Sequence, residues 1–118
     1  MKRPRTSRMR KVNELMREVI AEEVTKLKDP RLGFVTITAV RTAPDLRRAT
    51  VFFSVLDPEE AEGSTQALQS AHHRIQKTIA RVGHLKYTPV LEFRLDDALE
   101  RGLRISQLLQ NLEADSDE

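Results

Sequence analysis

The spacing of apolar residues changes along this chain, and these changes predict where helices and strands alternate. In the first segment apolar residues recur every three or four positions, as on one face of an α-helix: Met9, Val12, Met16, Val19, Ile20, Val24 and Leu27. Thr6 or Ser7 can cap this helix. We expect it to run to about Lys28, because Asp29-Pro30 cannot continue a helix.

Two strand-like segments follow the first helix and predict an antiparallel β-hairpin. Residues 34–41 read FVTITAVR and residues 49–56 read ATVFFSVL, and both are rich in β-branched residues. The connection contains Pro44 and Asp45, which are typical of a turn. Alternation places Phe53 in the core and Phe52 on the opposite face of the sheet.

The rest of the chain predicts a second helical region, a third strand and a C-terminal helical piece. Asp57-Pro58 can open the second region, and Gly63-Ser64 is expected to interrupt or restart it. Its apolar face comprises Leu68, Ala71, Ile75, Ile79 and Val82. The third strand spans 89–95, and residues 96–112 read as the final helical piece. This order predicts one α+β domain, with helices packed on one face of a three-stranded sheet.

Composition excludes several classes of protein and of site. The 118 residues suit a single domain, and the absence of cysteine excludes disulfides and thiolate metal sites. No apolar stretch suits a membrane span or a secretion signal, so we expect a cytoplasmic protein. The four glycines are too scattered for a phosphate loop. His72 and His73 diverge on a helix and make a poor metal site, and Asp96-Asp97 suits a helix cap. We therefore predict no enzyme activity, metal or cofactor.

Positive charge is concentrated in two places. The first residues are strongly basic, with a flexible arm expected at residues 1–6, and residues 113–118 form an acidic tail expected to be disordered. A second basic group lies at helical spacing opposite Ile75 and Ile79, and no acid occurs between His72 and Val90. Such a row matches the phosphates of a nucleic acid. The predicted RNA-binding residues are Arg3, Arg5, Arg8, Arg10, Lys11, Arg74, Lys77, Arg81, His84 and Lys86.

Several segments resemble the bacterial ribosome-binding factor A family, in the same order and over nearly the whole chain. They are Arg10-Lys11-Val12, Asp29-Pro30-Arg31, Val35 to Val40, Asp45-Leu46, Ala49 to Ser54, Pro89 to Phe93, and Asp96-Asp97 through Ile105 and Leu109. The resemblance implies a type II KH-like fold over residues 1–112, in a mixed sheet and without the Gly-x-x-Gly loop. The family often has an Ala-x-Gly kink where this chain has Ala71-His72-His73. Either a bend imposed by packing or a straighter helix is consistent with that difference.

The resemblance also implies a function. Members of the family bind the free small (30S) ribosomal subunit, assist late maturation and 5′ processing of 16S ribosomal RNA, and support growth in the cold. It implies a monomer that needs no membrane and that is released with the help of other assembly factors, among them a GTPase. Reversing the charge of Arg74, Lys77 and Arg81 is then expected to abolish subunit binding and leave the fold intact.

Two other classes of function fit the same residues. A general RNA- or DNA-binding regulator of KH-like fold would also bind naked nucleic acid. A protein–protein adaptor would use the leucine-rich C-terminal helix as its docking face.

Overall fold

The computed structural model describes residues 3–83, 88–96 and 106–112, with side chains from Arg8 onward in the first helix. The helices are α1 (Arg3–Thr25), α2 (Ala61–Ser70) and α3 (His72–Gly83). The strands are β1 (Val35–Thr42), β2 (Arg48–Val55) and β3 (Val90–Leu95). A single 3₁₀ turn, Pro58–Glu60, precedes α2, and residues 106–112 are helical. None of the helices in these ranges is long and apolar enough to cross a membrane.

The ends of α1 differ from the sequence-based expectation. The helix begins at Arg3 instead of Thr6 or Ser7, so residues 3–6, for which we expected a flexible arm, are helical. Pro4 is compatible with this start, because proline is tolerated in the first turn of a helix. The helix ends at Thr25, before the predicted Lys28. Asp29 then organises the following loop, since its side chain accepts the backbone N–H of Arg31 at 2.9 Å.

The three strands form one mixed sheet in the order β1-β2-β3, which confirms the predicted hairpin and third strand. β1 and β2 pair antiparallel, with an irregularity between Ile37 and Ala39, and β2 pairs parallel with β3. The helices cover one face of the sheet and enclose the core there. Its members include Met16, Ile20, Val40, Val51, Phe53, Leu68, Ile75, Ile79, Leu91 and Phe93. Phe52 lies half-buried on the other face, as predicted.

Gly63 and Ser64 lie inside α2 and do not interrupt it, so that prediction is wrong. Both residues instead allow the loop after α1 to pack closely on α2. A Cβ on Gly63 would lie 3.0 Å from the carbonyl oxygen of Arg31. The fully buried Ser64 hydroxyl accepts the N–H of Gly33 at 2.9 Å. The two small residues are therefore explained by a tertiary contact and not by a turn.

The second helical region breaks at Ala71, between α2 and α3. Ala71 has φ −89° and ψ 0°, a conformation open to any L-residue, and its N–H lies 3.1 Å from both the Ala67 and the Leu68 carbonyl oxygens. Glycine is therefore unnecessary here, and His73 lies in the first turn of α3. The break occurs with histidine at the position where the resemblance implies glycine.

Helical residues 106–112 carry Leu108, Leu109 and Leu112, which are all more than half exposed. The predicted helical piece from 96 to 112 is thus confirmed only for this part. Residues 97–105 and the predicted acidic tail at 113–118 lie outside the described residues.

Candidate nucleic-acid interface

The outer face of α3 is cationic. Ile75 and Ile79 bury the inner face against the core, and the helical repeat directs Lys77 and Arg81 to the opposite, exposed side. α3 contains no acidic residue. Within the described part of the chain, neither Lys77 nor Arg81 is engaged in an ion pair. These two side chains are free to neutralise the phosphates of a ligand.

Arg74 is the first residue of the predicted row, and it has a partner within the protein. Its Nε lies 3.7 Å from Oε2 of Glu23, whose side chain is only 7% exposed between α1 and α3. Lys26 Nζ lies 3.6 Å from the other carboxylate oxygen of Glu23. Arg74 therefore contributes to the packing of α1 on α3. The predicted row thus contains one cation paired inside the protein, Arg74, and two exposed cations without an ion pair in the described residues, Lys77 and Arg81.

The basic residues of α1 face two different directions. Val12, Leu15, Met16, Ile79 and Gly83 line a small apolar cavity, so the start of α1 lies beside the end of α3. The helical repeat puts Arg8 on the same side of α1 as Val12 and Leu15, with Lys11 adjoining.

Arg10 faces the other way. It lines a shallow groove beside edge strand β1, together with Met9, Asn13, Glu14, Arg17, Thr38, Ala39 and Val40. Of the predicted arm, Arg8 and Lys11 thus lie on the side of α1 that is next to the end of α3, whereas Arg10 does not. Arg3 and Arg5 lie in α1 without described side chains, and His84 and Lys86 lie outside the described residues.

A further group of arginines at the β1–β2 turn was missed by the sequence-based prediction. Arg41, Arg47 and Arg48 are all exposed. The backbone N–H of Thr42 donates to Oδ1 of Asn13 at 3.0 Å, which fixes this turn near the basic start of α1. The three arginines that flank the predicted turn in the sequence could have indicated this cationic group. Their position relative to α1 depends on tertiary contacts and could not be read from spacing.

Candidate catalytic and metal-binding groups have structural partners in the described residues. No group of three potential metal ligands occurs there. The rings of His72 and His73 lie 3.9 Å apart, and Nδ1 of His72 lies 2.7 Å from the Gln69 carbonyl oxygen. Hydrogen bonds from the side chain and backbone of Arg31 lower the pKa of Asp29 to about 2. Asp96 accepts the Thr38 hydroxyl at 2.8 Å, and residues 97–105, where it was expected to cap a helix, lie outside the described residues.

Aromatic side chains do not form a platform for base stacking in this part of the chain. Phe53 and Phe93 are buried, and Phe52 is half-buried beneath the Arg41 guanidinium, whose carbon lies 5.9 Å from the ring centroid. Phe34 is the one exposed phenylalanine among the described residues, and a single ring does not form a platform. Recognition through phosphates and shape therefore fits this surface better than stacking of splayed bases.

Comparison with known proteins places these features in a family. Residues 8–109 match the family model described as ribosome-binding factor A. A ribosome-binding factor A from Thermodesulfovibrio yellowstonii is 40% identical over 112 residues, which cover 94% of this chain and 95% of that protein. One from Rubrobacter xylanophilus is 44% identical over 110 residues, covering 90% and 88% of the two chains. These relatives are named for binding and not for a reaction.

Two solved structures extend the likeness to the fold. The crystal structure of ribosome-binding factor A from Thermus thermophilus is 31% identical, with a TM-score of 0.67, and covers 74% of this chain and 94% of that one. A Thermus thermophilus homology model, fitted into a cryo-EM map of a complex of this factor with the 30S subunit, is 33% identical. Its TM-score is 0.62, and the match covers 72% and 91% of the two chains. This α+β domain thus has the KH-like fold, and the chain belongs to the ribosome-binding factor A family.

Proposed function

We propose that this chain binds the free small ribosomal subunit and assists late maturation and 5′ processing of 16S ribosomal RNA without catalysing a reaction. The observation that carries the proposal is the exposed cationic face of α3 at Lys77 and Arg81; Arg8 and Lys11 are further exposed cations, in α1. Its relative from Thermus thermophilus has been fitted into the map of a 30S complex, which supports the same partner for this chain.

The mechanism follows from differential binding. Lys77 and Arg81 neutralise phosphates and release counterions, which provides affinity without reading base sequence. A protein that binds one arrangement of RNA more tightly than another shifts the folding equilibrium by the difference in affinity. Assistance with maturation therefore needs no acid, base or nucleophile on the protein.

Reversing the charge of Lys77 and Arg81 together tests the proposed surface. The control variant Lys28→Glu/Arg94→Glu makes the same change in net charge elsewhere: Lys28 lies in the loop after α1, and Arg94 is exposed on β3. We expect the Lys77→Glu/Arg81→Glu variant to be absent from the fractions of a sedimentation gradient that contain free small subunits. The control variant should still be found in those fractions. If both variants still sediment with the free subunit, the surface is assigned wrongly.

The role in RNA maturation needs a separate measurement. Cells depleted of the chain should accumulate 16S ribosomal RNA with an unprocessed 5′ end, most strongly in the cold. Re-expression of the wild-type chain should restore processing, whereas Lys77→Glu/Arg81→Glu should not. Normal processing in depleted cells would contradict this role while leaving subunit binding intact.

We also propose that the chain acts as a cytoplasmic monomer and that an assembly GTPase aids its release. Size-exclusion chromatography with light scattering tests the monomer. Release is tested by adding candidate GTPases, with GTP or a non-hydrolysable analogue, to the complex with the small subunit. Retention of the chain under every condition would contradict the proposed release.

A protein–protein adaptor is a second candidate, favoured by the exposure of Leu108, Leu109 and Leu112. Replacing these leucines with glutamine should then abolish partner binding while RNA binding persists. A general nucleic-acid regulator is distinguished by competition, because bulk RNA at physiological salt would displace it from the small subunit.

A further inference from the structure

The turn between β1 and β2 carries a second set of cations, separate from those on α3. Arg41, Arg47 and Arg48 are exposed, and Asp45 is the one acid between them in the sequence. Oδ1 of Asp45 accepts the backbone N–H of Arg47 at 3.0 Å, so this carboxylate shapes the turn. The tip therefore presents several guanidinium groups to solvent and little opposing charge.

The backbone of this turn is held firmly. Leu46 has φ 62°, a left-handed conformation that residues other than glycine and asparagine adopt rarely. Hydrogen bonds fix it on both sides: Leu46 N–H donates to the Ala43 carbonyl at 2.9 Å, and Ala43 N–H donates to the Arg48 carbonyl at 2.8 Å. The Arg47 carbonyl accepts the N–H of Val90, in β3, at 2.8 Å. A backbone held in this way loses little further freedom when a ligand binds, so most of the ordering cost falls on the arginine side chains.

The arginines of the turn and the cations of α3 lie on different layers of the molecule. Ala49, Val51 and Phe53 point from β2 into the core beneath the helices, so alternation directs Arg48 to the face of the sheet that α1, α2 and α3 do not cover. Arg41 lies on that face as well, over the ring of Phe52. Lys77 and Arg81 point outward from the helical layer. A row of phosphates that follows α3 would run along the helical layer and not along the opposite face of the sheet.

We propose that the β1–β2 turn is a second phosphate-binding surface, which contacts a segment of RNA backbone other than the one bound by α3. This inference rests on the proposed function, because it takes RNA as the ligand. Arginine is well suited to the role, since its planar guanidinium can donate two parallel hydrogen bonds to one phosphate. Two contacts on separate layers would fix the orientation of the domain on a folded RNA, which a single cationic face cannot do.

The test uses the full chain, purified free small subunits as the probe, and the variant Arg47→Glu/Arg48→Glu. We expect the dissociation constant to rise at least about tenfold, because two charge-assisted contacts are lost. The slope of log affinity against log salt should fall in magnitude by about one for each contact removed. Combination with Lys77→Glu/Arg81→Glu should multiply the two fold-changes, since the surfaces contact separate segments. A matched pair of single reversals is the control: Lys28→Glu, in the loop after α1, should change affinity much less than Arg48→Glu alone.

Several outcomes would overturn the proposal. Affinity that is unchanged, or reduced only as much as in the control, would assign the turn no contact of its own. A combined variant no weaker than the weaker parent would indicate one shared surface. Arg47→Lys/Arg48→Lys keeps the charge and serves if the glutamate variant fails to fold: an intermediate loss supports the bidentate contact, and wild-type affinity contradicts it. If the wild-type chain does not bind the subunit, the proposed function itself fails.

Discussion

Arg74 and Lys77 are neighbours on α3, yet their surroundings differ. Arg74 lies beside the buried carboxylate of Glu23, whereas Lys77 is exposed and has no ion pair within the described residues. We expect Arg74→Glu to lower the free energy of unfolding by about 1 kcal/mol, because it would put a second carboxylate beside the buried Glu23 and leave Lys26 as its remaining partner. Lys77→Glu should change it by less than about 0.5 kcal/mol. Urea unfolding monitored by circular dichroism measures both values.

This difference revises the expectation that reversing all three cations of the row would leave the fold intact. Glu23→Gln provides the matched variant, because it removes the buried charge and should make Arg74→Glu much less harmful. If Arg74→Glu is equally destabilising in the wild-type chain and in the Glu23→Gln variant, the ion pair is not the cause. Because Arg74→Glu is expected to destabilise the fold, loss of binding in a variant with all three reversals could not be separated from loss of structure. The binding test therefore changes Lys77 and Arg81 alone.

Asp29 makes stability depend on pH in a defined range. Its pKa in the folded chain is about 2, below the ordinary 3.8, because Arg31 stabilises the charged carboxylate. A pKa that is lower in the folded than in the unfolded chain adds stability above about pH 4, and this stability is lost as the pH falls toward 2. Asp29→Asn should therefore unfold at lower urea than the wild type near pH 6, and the difference should shrink near about pH 2.5. A difference independent of pH would contradict the role of this charge.

At the level of elements, the break at Ala71 explains why histidine is acceptable where the family often has glycine. Ala71 itself adopts the non-helical conformation, and His73 is already helical. We expect His73→Gly to lower the free energy of unfolding by about 0.3–0.5 kcal/mol, because glycine loses more backbone entropy in a helix than histidine does. Thermal unfolding measures the change. Gly63→Ala is the contrasting variant: alanine favours the helix there, but its Cβ would lie 3.0 Å from the carbonyl oxygen of Arg31. A stabilised His73→Gly protein would indicate that the break needs glycine after all.

The elements that the sequence predicted well are those whose burial depends on local periodicity. Strands β1, β2 and β3 begin within one residue of the prediction, because alternation and a buried face coincide in each. The prediction failed at Gly63, where the need for glycine comes from a loop distant in sequence, and at the start of α1. Arg3 and Pro4 carry no apolar periodicity, so the pattern of buried residues could not indicate that the helix extends to them.

At the scale of the whole molecule, the sequence predicted the cationic face of α3 but not how the other cations surround it. Spacing alone places Lys77 and Arg81 opposite Ile75 and Ile79. It cannot show that Glu23 approaches Arg74, that Arg10 turns toward β1, or that the β1–β2 turn lies near the start of α1, because each depends on packing between distant segments. The complete set of predicted RNA-binding residues stays a prediction.

The arrangement of these cations predicts how strongly binding depends on salt. Lys77, Arg81, Arg8 and Lys11 extend over one side of the molecule, and each phosphate that they neutralise contributes about −0.7 to −0.9 to the slope of log affinity against log salt. We expect a slope of about −3 to −4 for these four contacts alone, and a steeper one if the β1–β2 turn also binds phosphate. Titration of the complex with free small subunits, from low to physiological potassium chloride, measures it. Lys77→Glu/Arg81→Glu should bring the slope closer to zero, whereas Lys28→Glu/Arg94→Glu should leave it nearly unchanged. A wild-type slope near zero would mean that contacts other than phosphates hold the complex together, and the leucines of residues 106–112 would then become the leading candidates.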